Sequence, residues 1–329
     1  MHKDSLPGLA PGPRRLVVIY NPAAGQRRQR RLTAVLKGLR EAGCAIDLHP
    51  TAQSGDAEAF ARTLSRTACD VVVVAGGDGT VNEVVNGLMA APGAVPPLAV
   101  VPLGTANVLA HEIGQAIRPA AIARTITHGQ PRPIRLGLAN GRYFVQMSGV
   151  GLDAHVVAHV SLAFKRHAGK GAYVAETLAQ LARYRFPPLR VTIDGTVHPA
   201  CTVVACNGRY YGGPFVAAPE ARLWQDSLEL CLLTGAGAWN ALRYGVALLL
   251  GRLPLLKDVR VVQGRRVRID GVAGDPVQGD GDIIAALPVD ISVADARLAL
   301  LFPPVEKEPS TGLSTDPPSP SSAPEPRVP

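Results

Sequence analysis

The sequence predicts an α/β domain with a doubly wound parallel sheet, followed by an antiparallel β-sandwich, with the functional site in the cleft between them. Three observations predict it. Short apolar runs alternate with helically spaced apolar residues up to Pro131, β-rich segments with turn pairs take over after Pro133, and glycine-bearing loops follow three of the first-half strands. A chain of 329 residues can bury two cores of ordinary size.

Leu16–Tyr20 is a continuous apolar run of the kind that forms a buried strand, and Leu32, Val35, Leu36 and Leu39 then fall at helical spacing within 31–41. A strand at 45–48, a helix at 57–66, the run Val71–Ala75, a helix at 82–89 and a strand at 98–101 continue the alternation, which defines a parallel, doubly wound sheet. In the second half, 143–148, 189–193, 202–206, 228–233, 259–262, 267–269 and 291–293 read as short strands. Asn140-Gly141, Asp194-Gly195 and Asp270-Gly271 punctuate them as hairpin turns. Helical insertions are expected near 171–185 and 239–250. The boundaries expected are 14–132 for the α/β domain and 133–303 for the sandwich. The Pro/Gly-rich 1–13 and the tail 304–329 are expected to be disordered, since 303–329 carries nine prolines.

An apolar fraction of 47% against 18% charged residues belongs to a folded chain and excludes general disorder. The formal net charge is +8, and eight Lys/Arg fall between Arg14 and Arg40 with no Asp or Glu among them. Such a run attracts nucleic acid, an anionic membrane or nucleotide phosphates, or simply forms a solvated helix face. It lacks interleaved aromatics for base stacking, which ranks nucleic acid last. Five scattered cysteines with no C-x-x-C pair read as reduced core residues of a cytoplasmic protein. No signal peptide or membrane span is expected, because Gly251, Arg252 and Pro254 break the longest apolar stretch; any lipid would be met at the bilayer surface.

The strongest chemical signal is Val71 to Glu83: a buried strand, then Gly76, Gly77 and Gly79 around Asp78, then a helix. At the carboxyl end of a parallel strand, glycines let the backbone approach a phosphate, and the helix N-terminus offers free N–H groups and a positive dipole end. Asp78 would repel that phosphate unless a cation or substrate hydroxyl lies between them; the alternative is an Asp that caps a helix or turn. Asn21 to Gly25 and Gly104 to Asn107 follow other strands of the sheet, so three small-residue loops converge on one rim, which suggests a nucleotide site. Asp280-Gly281-Asp282 is compatible with a plain hairpin turn.

Asn21-Pro22-Ala23-Ala24-Gly25, the G-G-D-G-T-V-N-E segment and Pro102-Leu103-Gly104-Thr105-Ala106-Asn107, in this order, resemble the diacylglycerol kinase catalytic-domain family, especially its soluble bacterial members. Sphingosine/ceramide kinases, NAD kinases and phosphofructokinases share a related G-G-D-G. Ser148 to Ala154, Tyr210 to Pro214, Ala218-Pro219, Asp226 and Gln278 to Asp282 resemble later family motifs. The resemblance runs from about Leu16 to Pro303. It implies a Rossmann-like domain of NAD-kinase/diacylglycerol-kinase type, with the active site in the cleft. It also implies an ATP- and Mg2+-dependent phosphotransferase with an alcohol acceptor, acting on diacylglycerol or a related lipid at the inner face of the membrane; a homodimer is compatible with it.

By that resemblance Asn21, Pro22, Ala23, Ala24, Gly25, Thr51, Gly76, Gly77, Asp78, Gly79, Thr80, Asn82, Glu83, Gly104, Thr105 and Asn107 would hold the nucleotide. Asp153 would join Asp78 around the catalytic magnesium, and Asp226 with the carbonyls of Leu223 and Leu228 would hold a structural one. The last carboxylate of the family's D-G-E motif, thought to be the base, is Asp282 here, beside Asp280. A lipid hydroxyl must lose a proton as it attacks the γ-phosphorus, which suits a carboxylate in the second domain. Three departures stand out: Val108 where the family has Asp after G-T-x-N, D-G-D for D-G-E, and Asp226-Ser227 for D-G. They leave open a catalytically weakened nucleotide-binding protein; a kinase for a soluble acceptor such as NAD is the third reading. His155 and His159 at i, i+4 suit a metal or ordinary helix packing, and 165–170 carries cations suited to phosphate. Trp239, Leu242, Tyr244, Val246 and 248–250 form an apolar helix face, for lipid or for packing on the sandwich.

Overall fold

Val71–Gly76 (β3) is buried at all six positions, so both of its faces need cover, and it accordingly lies inside a sheet with helices on both sides. The computed structural model describes residues 9–22, 25–159 and 184–304. Arg15–Tyr20 (β1), Ala45–Pro50 (β2), β3 and Leu98–Pro102 (β4) run parallel in the order β2-β1-β3-β4. Gly25–Glu41 (α1) buries Leu32, Val35, Leu36 and Leu39 against one face, beside Pro119–His128 (α5). Asp56–Ala61 (α2) and Asp78–Ala90 (α3) cover the other, through Ala57, Ala61, Val84, Val85 and Leu88.

α2 stops five residues short of the expected 57–66, and α3 begins four residues before the expected Asn82, so Gly79 and Thr80 are its first turn and not loop. A short helix, Val108–Glu112 (α4), follows β4. The five cysteines are unpaired thiols, four of them buried. Residues 9–13 are ordered, with Gly12 N–H donating to Thr127 O (3.0 Å).

The second half is β-rich as expected, but the strand expected at 143–148 divides in two and six of the strands have no expected counterpart. Gln130–Ala139 (β5) and Arg142–Phe144 (β6) form a hairpin, followed by Met147–Val150 (β7) and Leu152–His159 (α6). Leu189–Ile193 (β8) and Thr196–Ala200 (β9), Thr202–Cys206 (β10), Tyr210–Tyr211 (β11), Phe215–Val216 (β12) and Leu228–Leu233 (β13) come next. Then follow Ala238–Leu249 (α7), Val259–Gly264 (β14), Arg266–Asp270 (β15), Pro276–Gly279 (β16), Asp282–Ala286 (β17) and Val289–Phe302 (β18). One antiparallel sheet runs β14-β13-β10-β7-β16-β17 and faces β8, β15 and the start of β18 across a core of Val191, Val203, Leu230, Val267, Val277 and Val289.

The expected strand that differs most is β18, expected as three residues and observed as fourteen. Its first half pairs with β15 (Ile291 opposite Val267) in the sandwich, its last half runs beside β4 (Leu300 opposite Leu98), and β5 pairs with it on both sides of a register shift between Val293 and Arg297. Ile291 thus lies in the sandwich core and Leu298 and Leu300 in the α/β core, so one strand is shared by both lobes. Asn140-Gly141 and Asp194-Gly195 have positive φ (44 and 88; 45 and 90) and form tight hairpin turns, as expected. Asp270-Gly271 does not: there the chain leaves one sheet for the other. The third such turn is Asp280-Gly281 (φ 52 and 92), joining β16 to β17. Residues 171–183 of the helix expected over 171–185, the cations at 165–170 and the tail from 305 lie outside the described residues, and 184–185 are not helical.

Because one strand serves both cores, Leu298→Ala and Ile291→Ala should each lower a single common unfolding transition by about 2–5 kcal/mol. Two separated calorimetric transitions, each moved by only one substitution, would show that the lobes unfold independently.

Candidate active site

The three loops meet at the carboxyl rim, and bare backbone lets them. Gly77 lies against Gly104: a Cβ on Gly77 would stand 3.2 Å from Gly104 Cα, and one on Gly104 2.6 Å from Gly77 Cα. Leu103 N–H donates to Gly76 O (2.9 Å), and a Cβ on Gly76 would collide with Thr80 at the start of α3. The first loop joins through Asn21 N–H to Ala75 O (3.3 Å) and Thr51 N–H to Tyr20 O (2.9 Å). From α1, Arg28 Nη2 reaches Thr105 Oγ1 (3.1 Å) and Arg31 Nη1 reaches Pro102 O (2.8 Å). Asn21, Pro22 and Gly25 are exposed; Ala23 and Ala24 lie outside the described residues. The first-turn N–H groups of α3 have no acceptor within the helix and point with its positive dipole end to this rim, a setting for phosphate.

Two asparagines expected at the nucleotide are spent on the fold. Asn107 closes its own loop, accepting from Gly104 N–H (2.7 Å) and donating to Gly104 O (3.0 Å). Asn82 is buried and donates to Asp280 Oδ2 (2.8 Å) and Tyr143 O (3.0 Å), which makes it a strut between the lobes. Asn86, one turn on, supports it by donating to Asn82 O (2.9 Å) and accepting from Tyr143 N–H (3.0 Å). The sequence signal for Asn86 was its i, i+4 spacing from Asn82, and it went unused. Glu83 accepts from Ser54 Oγ (3.0 Å).

Asp78 caps a helix, though not its own: its Oδ1 accepts from Val108 N–H (2.7 Å) at the start of α4. Burial, with the charge of Asp280 adding to it, pushes Asp78 up to about 6. The two carboxylates share a small space with Val81, Val108, Leu109 and Gln146, whose buried amide finds no partner among the described residues. Val108, at the position where an acid was expected, turns its side chain into an apolar cluster with Met147 and Cys206.

Asp280, expected to be catalytic beside Asp282, is buried and fully occupied. It accepts from the N–H groups of Val145 (2.6 Å), Gln146 (2.8 Å) and Met147 (3.2 Å) and from Asn82 Nδ2. Burial pushes it upward while these donors hold it back. Asp282 is the exposed member of the pair, and its Oδ2 lies over Gly79, where a Cβ would collide with it. A carboxylate of the second lobe therefore faces the glycine turn of the first.

Asp153 does not join Asp78. It accepts from Tyr211 Oη and from Gln278 Nε2 (2.7 Å), and Gln278 Oε1 accepts from Gly281 N–H (2.9 Å), so this chain steadies the hairpin tip. Burial pushes Asp153 upward. Nor do Asp226, Leu223 and Leu228 fit a metal ion. Arg135 Nε donates to Asp226 Oδ1 (2.5 Å), Arg135 N–H to Leu223 O (2.6 Å), and Arg135 Nη1 to Asp295 O (2.9 Å). A guanidinium already supplies the positive charge there. No group of three acidic, His or Cys side chains among the described residues is arranged for a metal, His155 included.

The fold is thus two lobes, an α/β domain and a β-sandwich, with a glycine turn of the first facing a carboxylate of the second. The sequence model of the diacylglycerol kinase catalytic domain matches residues 15–139, and that of the YegS C-terminal NAD kinase beta sandwich-like domain matches 146–302. A probable lipid kinase YegS-like of Pseudomonas aeruginosa (strain UCBPP-PA14) is 31% identical, over 80% of this chain and 88% of its own. A diacylglycerol kinase of Bacillus subtilis (strain 168) is 29% identical, over 84% and 92%. The crystal structure of a diacylglycerol kinase from Bacillus anthracis str. Sterne superposes with a TM-score of 0.69 at 25% identity, over 88% and 97%. The chain belongs to the diacylglycerol kinase family, as a phosphotransferase with an alcohol group as acceptor.

Asp78 titrates above its ordinary 3.8, so its contribution to stability is complete below that value and lost as pH rises through about 6. Asp78→Asn should therefore be more stable than the parent at pH 7.5, by on the order of 2 kcal/mol, with the gap closing in acid. Melting curves at both pH values check this. Arg135 holds Asp226, Leu223 O and Asp295 O together, so Arg135→Ala should lower stability by about 2 kcal/mol in the same melting experiment.

Proposed function

We propose that this protein transfers the γ-phosphate of ATP to a hydroxyl of diacylglycerol or a related lipid, with Asp282 as the base. The observation that carries the reading is the placement of the Asp282 carboxylate over Gly79, in the first turn of α3. On this reading the turn Gly76 to Thr80, with Thr105 and the loop from Asn21, holds the triphosphate through backbone N–H groups. Asp282 takes the proton from the attacking hydroxyl. Asp280 does not touch the acceptor; it fixes the hairpin that carries Asp282. Asp78 suits a divalent cation, because a buried carboxylate pushed upward beside a second one is relieved by positive charge. When bound, magnesium supplies neutralisation of the phosphate oxygens.

The relatives' names support a lipid acceptor, and the second-half motifs favour it over NAD. Val108 supports the other reading, an ATP-binding protein with weakened turnover, since an apolar side chain fills the position where an acid was expected. Radiolabelled ATP, magnesium and mixed lipid extracts separate the two: a labelled lipid identified by mass spectrometry is the expected result. Asp282→Asn should lower kcat at least about a hundredfold with little change in nucleotide affinity. Nucleotide binding without any labelled product from the parent protein would favour the second reading.

A further inference from the structure

The helix α7 carries an apolar stripe that the fold leaves in water. Trp239, Leu242, Val246 and Leu249 recur at helical spacing and are 76%, 46%, 48% and 60% exposed, and Leu250 and Leu255 extend the patch at 66% and 77%. The opposite side of α7 is used for packing. Tyr244 and Ala247 lie in one cluster with Val108 and Met147, which also line the space around Asp78 and Asp280. The stripe is therefore the outer surface of an element whose inner surface packs on the sandwich lobe.

Its charge is one-sided. Residues 231–257 contain no Asp or Glu. Arg243 is held by Asp258, whereas Arg252, Lys257 and Arg260 at the flank are exposed and take no acidic partner among the described residues. A second copy docked on the same face about a two-fold axis would bring these cations towards their own images. An apolar stripe headed by a tryptophan and flanked by unpaired cations complements an anionic bilayer interface.

We propose that α7 and the turn after it lie in the plane of an anionic membrane surface, with Trp239, Leu242, Val246 and Leu249 at the acyl boundary and Arg252, Lys257 and Arg260 on lipid phosphates. The lipid-kinase reading explains why such docking is useful, since it brings the protein to the surface that holds its acceptor. The docking itself is measured without turnover.

The test is sedimentation of the full chain with phosphatidylcholine vesicles, with and without phosphatidylglycerol. The parent should bind the anionic vesicles, and in a Trp224→Phe background the Trp239 emission should shift to the blue. Trp239→Ser with Leu249→Ser, both at exposed positions, should keep the parent melting temperature and lose on the order of a hundredfold in vesicle affinity. Arg252→Glu with Lys257→Glu should abolish the preference for anionic lipid. Unchanged vesicle binding in the Ser variant overturns the proposal, as does a concentration-dependent dimer that the Ser variant dissolves. Phosphorylation of a water-soluble short-chain diacylglycerol should survive in the Ser variant, and its loss there would make the stripe part of the catalytic site and overturn docking. A parent that binds vesicles through α7 but phosphorylates no lipid refutes the kinase reading and leaves the docking standing.

Discussion

The site depends on one buried carboxylate. Asp280 gathers three consecutive backbone N–H groups, from Val145, Gln146 and Met147, and the amide of Asn82 on α3. Those N–H groups belong to the segment entering β7, so a single side chain ties the β16–β17 hairpin to its own sheet and to α3 of the other lobe. Removing such an acceptor strands several buried donors at once, each costing about 1–3 kcal/mol. The residue two positions on, Asp282, inherits its location over Gly79 from that anchorage. Asp153, through Gln278 and the Gly281 N–H, braces the same hairpin from behind.

The lobes are joined elsewhere by the same logic of shared elements. The β5–β18 ribbon runs through both sheets, and Arg142 reaches across with two hydrogen bonds to Glu58 on α2 (2.9 and 2.8 Å). Glu112 on α4 accepts from Arg209 N–H (2.7 Å) and Arg209 Nε (3.2 Å). Polar pairs and a common strand limit the freedom of one lobe relative to the other, which keeps the glycine turn and the carboxylate in register.

The α/β half was legible because its strands are continuous apolar runs and its helices keep their period, as in Val71–Gly76 and in α1. The loop convergence was legible too, because strand ends in a parallel sheet point one way. The start of α3 was misplaced because two glycines around an aspartate read as loop, although glycine in a first turn costs little and here leaves room for Asp282. Strand β18 was truncated because Asp295 and Arg297 interrupt its apolar pattern where it crosses from one lobe to the other. The partners of Asp226 and Asp280 were illegible for a different reason: Arg135 and Val145 lie 91 and 135 residues away from them in sequence, and only the folded sheets bring them together. The motif supplied two acids at Asp280 and Asp282; the positive-φ turn decides which of them is buried.

The walls around Asp78 carry a further consequence. They are Val81, Val108, Leu109, Val145 and Met147, with Gln146 neutral, so among the described residues Asp78 and Asp280 share this space with no Lys or Arg. In such a space the charge of one raises the proton affinity of the other, and Asp78, with fewer N–H donors than Asp280, is the one that yields. Protons and a divalent cation then compete for the same carboxylate on the proposed reading, and rising pH favours the cation. Val108 fits this balance: a third acid there would deepen both the attraction for a cation and the repulsion without one. Its replacement by an apolar side chain lowers the electrostatic cost of the empty cleft together with its pull on the metal.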